Sequence, residues 1–402
     1  MDPLFILLAI GVIFFFGLLS SLISNKIKLP NMLLLILAGI FLANLPIFSQ
    51  KTPFDDLTLV STISTIALVL IIFSYTSRFR IKDFDSLSTD AGLITLFSVI
   101  FTLITVSLLV HFVLGLNLVL SLVFASTLVG TDPSAVAQFL PNVRNKSIKL
   151  LFVESIINSP ITVLAPIVFL DFVNFKPVSG ELLTTFFTAF LSQVIVGIGS
   201  GFVIGLVFFK FMRKSYSASL SPLALITAAL LAYGLAEYLS GNGVFAVTTL
   251  GLFYGTVSIK NKFVLSQYSR VISDILEIFV FILIGFLFKV KLINWKFVLE
   301  LSLIFGTYLL MRWLAVLLAL RKSTFSKLEK HFITFLPPKG VVTVVIILTI
   351  ALTGNFPEET INLLIGFIVL SQLFSTIFVK MNAKKITDYS KVKLRNFSKN
   401  IP

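Results

Sequence analysis

Runs of about twenty apolar residues recur along the whole of this 402-residue chain. As an α-helix rising 1.5 Å per residue, such a run spans the roughly 30 Å hydrocarbon core of a bilayer. Lipid offers no water to free backbone N–H and C=O groups, so only helices or closed barrels cross it. The runs have helical length, and the chain reads as an all-α polytopic membrane protein. Composition agrees. Hydrophobic residues make up 57% and charged residues only 12%, with a mean hydropathy of +1.04; a soluble domain is closer to a quarter charged. The absence of cysteine excludes disulfides and thiolate metal sites. The opening MDPLFILLAIGVIFFFGLLSSLI has no basic n-region or small-residue cleavage site, so it is expected to be a first helix rather than a signal peptide.

About thirteen transmembrane helices are expected, at 3–23, 29–45, 57–77, 91–113, 117–140, 148–172, 184–212, 220–239, 243–258, 271–288, 297–320, 330–353 and 360–380. The basic residues test that division. The loops after the odd-numbered spans and the tail hold 25 Lys and Arg, from Lys26 to Lys399. The opposite side holds five: Lys51, Lys176, Lys289, Lys291 and Lys296. A missed span would scramble the split. By the positive-inside rule the C-terminus is cytoplasmic and the N-terminus outside, as in a multi-pass plasma-membrane protein. The net charge of +14 is thus dispersed over many loops, which argues against nucleic acid as a partner. The basic tail suits a solvated segment near anionic lipid.

Four ionisable residues fall at the centres of spans: Asp132, Glu154, Arg312 and Lys339. Each costs roughly 3 kcal/mol there on insertion scales, so two acids and two bases call for pairing or function. A purely structural pair that locks two helices is the plain reading for Glu154. Asp132 is different. In SLVFASTLVGTDPSAVAQFLP the Gly130-Thr131-Asp132-Pro133 run interrupts an apolar span. Proline fits the first position of a new helix, and aspartate caps that helix and balances its positive end. Span 12 has a counterpart in HFITFLPPKGVVTVVIILTIAL. There Pro337, Pro338 and Gly340 make the break, and Lys339 can face a half-helix's negative end. Interrupted helices in spans 5 and 12, running in opposite senses, point to an inverted-repeat secondary transporter with its site at the midplane between the breaks.

Span 6 carries FVESIINSPITV. Glu154 and Asn158 are four residues apart, as are Ser155 and Ser159, so all four share one broad helical face. With Asp132 and the loosened backbone around it, this is an oxygen-rich set without sulfur or imidazole. Such ligands suit hard cations.

Other features carry less. Asp274 and Glu277, one turn apart near the inner end of span 10, either line a cytoplasmic funnel or form a solvated helix end. Glu237 is expected at the outer membrane surface. Gly197, Gly199, Gly201 and Gly205 in span 7 suit close helix packing. A membrane enzyme would need clustered carboxylates or a His/Glu constellation. The two histidines, His111 and His331, fall at opposite ends of the expected topology. No phosphate-binding loop motif is present, which argues against ATP-driven pumping. A channel lined by similar polar residues is a closer rival.

These pieces resemble the monovalent cation:proton antiporters of the NhaP/Kef-like superfamily over nearly the whole length. The most specific are ASTLVGTDPSAV and FVESIINSPITV. LPNMLLLILAGIFL, NGVFAVTTLGLFYG, ILEIFVFILIGFLF, Arg312 and LPPKGVV add to them. The resemblance implies a thirteen-helix fold with two crossed, broken helices. An ion-transporting core would comprise 91–172 and 297–380, a dimerisation scaffold 1–77 and 220–288, a linking helix 184–212 and a cytoplasmic tail 381–402. It implies exchange of Na⁺, or sometimes K⁺ or Li⁺, for H⁺ by a homodimer with a moving core and no cofactor besides the transported ions. Thr131 and Asp132 match the family's broken-helix pair, and Glu154 and Ser155 the start of its span-6 motif. Arg312 matches an arginine expected to pair with Glu154. Lys339 stands where the family usually has arginine.

One position departs. After the matching Asn158 the family carries an aspartate, its principal competitive site for cation and proton, where this chain has Ser159. Three readings follow. Asp132 can take over as the exchanging carboxylate and Na⁺ ligand, with Thr131, Ser155, Asn158 and Ser159 adding neutral oxygens. Glu154 can be the exchanging group, against which a fixed Arg312 partner argues. Or the protein no longer exchanges ions and serves as a channel or sensor.

Overall fold

The apolar runs fold into helices in the computed structural model of the chain, which describes residues 3–27, 29–45, 57–77, 87–131, 146–174, 182–214, 220–257, 262–337 and 339–399. In chain order the helices are α1 (Pro3–Ile27), α2 (Asn31–Ala43), α3 (Leu57–Thr76), α4 (Leu87–Leu114), α5 (Leu118–Thr127), α6 (Lys146–Asn174) and α7 (Leu182–Lys214). They continue with α8 (Leu220–Tyr238), α9 (Gly243–Thr256), α10 (Lys262–Leu287), α11 (Trp295–Ala319), α12 (Lys327–Phe335), α13 (Val341–Leu352) and α14 (Glu358–Lys399). No strand occurs among the described residues.

Every expected span overlaps one of these helices. Length and apolarity alone qualify six as membrane-crossing, or seven if the bent α6 counts as one span. The count of thirteen therefore does not follow from single helices. Five further apolar helices, among them α5 and α13, are shorter. At 1.5 Å per residue the 10 residues of α5 reach only about 15 Å, half of a bilayer core. Such pieces cross only in combination.

Several ends differ from expectation. α10 begins at Lys262, nine residues before the expected 271, because its first turns are polar enough to lie beyond the apolar core; further along, Arg270 pairs with Asp274 at 3.9 Å, both exposed. α14 continues past 380 to Lys399. No glycine or proline stands between Gly366 and Pro402 to stop it. α6 bends by 45° between Asn158 and Ile161, where Pro160 cannot donate to the helical ladder.

The outer faces are greasy. Leu7, Phe15, Leu18 and Leu22 on α1, Ile195 and Phe211 on α7 and Phe112 on α4 are all more than 60% exposed. In water such stripes invite association; in a bilayer they face lipid.

Inside, small residues let helices approach closely. α2 and α10 cross where Gly39 and Gly285 meet, and a Cβ on either would run into the other helix's backbone. α7 packs on α9 in the same way through Gly197, Gly201 and Gly205, whereas Gly199 faces open space. α4, α5 and α6 pack on one another, α11 packs on α4, and α12 and α13 lie against α6. A cluster of Leu87, Ile94, Leu151, Phe332 and Leu336 closes one end of that group.

Candidate functional site

α5 starts with Asn117 accepting from the Leu120 N–H at 2.8 Å. It ends after ten residues, its last turn tightened by Leu128 N–H to Ala125 O and Val129 N–H to Ser126 O. The carbonyls beyond that turn have no helical acceptor role left. Gly130 is required here by close approach. A Cβ on it would lie 2.5 Å from Thr162 Cγ2 and 2.6 Å from Thr162 Oγ1 of α6. Asp132 and Pro133 lie outside the described residues, as does the side chain of Ser159.

Three consecutive carbonyls at this end each receive a side chain from elsewhere in the chain. Asn158 of α6 donates Nδ2 to Val129 O at 3.0 Å. Lys339 donates Nζ to the carbonyls of Leu128 and Gly130, the latter at 2.7 Å. Thr131 Oγ1 then lies 3.3 Å from Ser155 Oγ, both buried. Thr131, Ser155 and Asn158 are thus gathered at one place. The Oδ1 of Asn158, completely buried, has no partner among the described residues. The backbone oxygens expected to lie open at the break are instead engaged by donors.

The second break separates α12 from α13 at Leu336–Gly340, with Pro338 outside the described residues. Lys339 sits in it, completely buried. Its Nζ also bonds Tyr308 Oη at 2.8 Å and stands 4.2 Å from the centre of that ring. No carboxylate reaches it within salt-bridge distance among the described residues. The negative end of a short helix, carrying about half an elementary charge, is its counter-charge.

Glu154 and Arg312 form a separate unit. The guanidinium meets the carboxylate with two parallel bonds, Nη1 to Oε1 at 2.8 Å and Nη2 to Oε2 at 2.9 Å. Both side chains are 1% exposed or less. Nη2 also reaches Ile333 O at 3.4 Å near the end of α12. This is the planar fork arrangement in which arginine binds carboxylate most strongly.

Two residues escaped sequence reasoning. Tyr308 lies one turn before Arg312 on α11 and bridges to Lys339. Gln372, fully buried on α14, donates Nε2 to the main-chain carbonyl of Lys339. The signal for Gln372 was a lone amide inside the apolar run LLIGFIVLSQLFSTIF. Other acids lie apart from this place. Glu277 is buried beside Tyr75 Oη at 3.5 Å, and Glu237 accepts from the Gly243 N–H at 2.8 Å.

Residues 10–385 match the family model described as sodium/hydrogen exchanger, transmembrane. The chain belongs to that family. Among its relatives, the K⁺/H⁺ antiporter NhaP of Alkalimonas amylolytica is 23% identical over 394 residues, covering 96% of this chain and 67% of that protein. Na⁺/H⁺ antiporter 1 of Methanocaldococcus jannaschii is 25% identical over 364 residues, covering 85% and 82%. The solved structure of the sodium proton antiporter MjNhaP1 from the same organism at pH 8 superposes with a TM-score of 0.82 at 22% identity, covering 96% of this chain and 99% of that one. At that identity the likeness shows the fold alone, an all-helical multi-pass membrane fold. The matched relatives are named as transporters rather than enzymes.

Proposed function

We propose that this protein exchanges a monovalent cation, Na⁺ or a close relative, for H⁺ across the plasma membrane by alternating access, with Asp132 as the exchanging carboxylate. The supporting observation is the buried meeting of Thr131 with Ser155 and of Asn158 with the Val129 carbonyl, with Asn158 Oδ1 left without a donor among the described residues. A buried carbonyl oxygen without a partner costs about 1–3 kcal/mol, and an ion or a water removes that cost. Asp132 is the next residue after Thr131. Ser155, Thr131 and Asn158 offer neutral oxygens, and Ser159 would add another. Oxygen ligands of this kind suit a hard monovalent cation. The names of the two relatives, one for K⁺ and one for Na⁺, support the class and leave the choice of ion to experiment.

One carboxylate holds either a cation or a proton, so a single Asp132 gives one-for-one exchange. Glu154 is committed to Arg312 and keeps α6 and α11 together. Lys339 compensates the negative end of α5. α4–α6 with α11–α14 form the moving core in this reading, α1–α3 with α8–α10 the dimer-forming scaffold, and α7 the link. The N-terminus lies outside and the C-terminus in the cytoplasm.

Proteoliposomes with an internal pH dye test the proposal, with Na⁺, Li⁺ and K⁺ added in turn. Wild type is expected to move protons against at least one cation, and Asp132→Asn to lose more than 90% of that flux. Full exchange in Asp132→Asn would remove Asp132 from the mechanism. Absence of exchange in wild type that appears in Ser159→Asp would leave a silent exchanger scaffold instead.

A further inference from the structure

The two helix breaks are each held by an amide. Asn158, on the helix that follows the α5 break, gives its Nδ2 to the carbonyl of Val129 within that break. Gln372, on the helix that follows the α12–α13 break, gives its Nε2 to the carbonyl of Lys339 within that one. Both side chains are completely buried. Both keep their other polar atom, Asn158 Oδ1 and Gln372 Oε1, without a hydrogen-bond partner among the described residues. The assignment of nitrogen and oxygen is fixed by chemistry, because a carbonyl acceptor can only be met by the NH₂ end. The two amides also belong to one connected place. Lys339, whose carbonyl Gln372 holds, extends Nζ to the carbonyls of Leu128 and Gly130 on either side of Val129, whose carbonyl Asn158 holds. The remaining neighbour of the Gln372 amide is Met32 Sδ at 3.7 Å, a weak acceptor that asks nothing of Oε1.

We propose that Gln372 is the counterpart of Asn158 in the second half of the chain and a specificity-determining residue for the cation: its NH₂ fixes the break, and its Oε1 is a neutral oxygen for the passing cation. This rests on the exchange reading above. A buried amide oxygen with no donor is poorly explained by a clamp alone, since a clamp needs only the nitrogen. An apolar residue of the same size would spare the stranded acceptor. A dehydrating monovalent cation needs neutral oxygens whose number and placement tell Na⁺ from K⁺. Gln372 supplies one from α14, as Asn158 supplies one from α6.

The test compares wild type, Gln372→Leu and Gln372→Glu in the same proteoliposomes, measuring KM and maximal rate for Na⁺, Li⁺ and K⁺. In parallel, the melting temperature of each purified protein is measured without cation and in saturating NaCl, LiCl or KCl against choline chloride. Gln372→Leu is expected to raise KM at least fivefold for the preferred cation and to change the ratio of KM values between cations. Gln372→Glu, which keeps an acceptor oxygen and adds charge, is expected to shift KM the opposite way. The cation-dependent rise in melting temperature should shrink in Gln372→Leu and persist in Gln372→Glu. Unchanged KM ratios in both variants, with only maximal rate or melting temperature reduced, would overturn the proposal and leave Gln372 as a clamp. Should Gln372→Leu fail to fold, the KM ratios of Gln372→Glu decide alone. Should wild type show no exchange, the exchange reading falls, and the melting temperatures still decide whether Gln372 meets a cation.

Discussion

Arg312 and Lys339 are the two buried cations near the site, and they are held in opposite ways. Arg312 meets a full opposite charge through two parallel hydrogen bonds to Glu154, so the pair carries no net charge. Among the described residues Lys339 meets neutral oxygens, those of Leu128, Gly130 and Tyr308, and the face of the Tyr308 ring. The contrast separates a joint from a working charge. A closed pair carries no net charge, and breaking it exposes a bare one. An ammonium held by partial charges keeps its field and acts on whatever lies at the end of α5.

The largest expected effect breaks the first half of this contrast. Arg312→Leu strands the Glu154 carboxylate, 0% exposed, at a cost of about 3–5 kcal/mol. The measurement is the yield of monodisperse protein in mild detergent and its melting temperature. The double variant Glu154→Leu/Arg312→Leu is expected to recover most of the loss and to keep cation–proton exchange. Recovery of stability without exchange would give Glu154 the exchanging role instead of Asp132.

Lys339→Met tests the other half. It removes the charge and leaves the carbonyls of Leu128 and Gly130 short of a donor, each costing about 1–3 kcal/mol when buried. Exchange should fall more than tenfold, whereas Lys339→Arg, which keeps charge and donors, should retain a measurable rate. Equal rates for both variants would show that the charge is not what matters. The smallest effect is expected from Tyr308→Phe. It deletes one hydrogen bond, worth about 1 kcal/mol, and keeps the ring under the ammonium. A melting temperature lower by a few degrees with exchange retained would fit. Complete loss of exchange would mean that the hydroxyl itself takes part in transport.

Much of this was legible in the chain. The apolar runs located the helices, and Gly130-Thr131 and Pro337 through Gly340 marked the two interruptions. Both follow from local rules: a helix continues until a residue withdraws a donor or leaves the helical region of backbone space. The grouping of Glu154, Ser155 and Asn158 on one face of α6 followed from helical spacing. Other features were not legible. The short reach of α5 and α13 depends on where the last turn closes, and the helical extension of α14 to Lys399 on the lack of any stop. Tyr308 looks like an ordinary residue of an apolar helix until its neighbours are known, and the lone amide of Gln372 stands out in its apolar run without naming its partner.

The sequence alone determined an all-helical membrane chain, the places where its helices must break, and the polar residues that have no business in lipid. Those are statements about one helix and its solvent. The tertiary structure decided which of these residues meet. Arg312 and Glu154 are 158 positions apart, and Lys339 and Gly130 are 209 positions apart. Nothing in local spacing prefers those partners, because they are chosen by how closely α5, α6, α11 and α14 approach. Close packing of Gly130 against Thr162 brings the end of α5 onto α6, and among the described residues around the two breaks the side-chain oxygens of Asn158 and Gln372 are left without a donor.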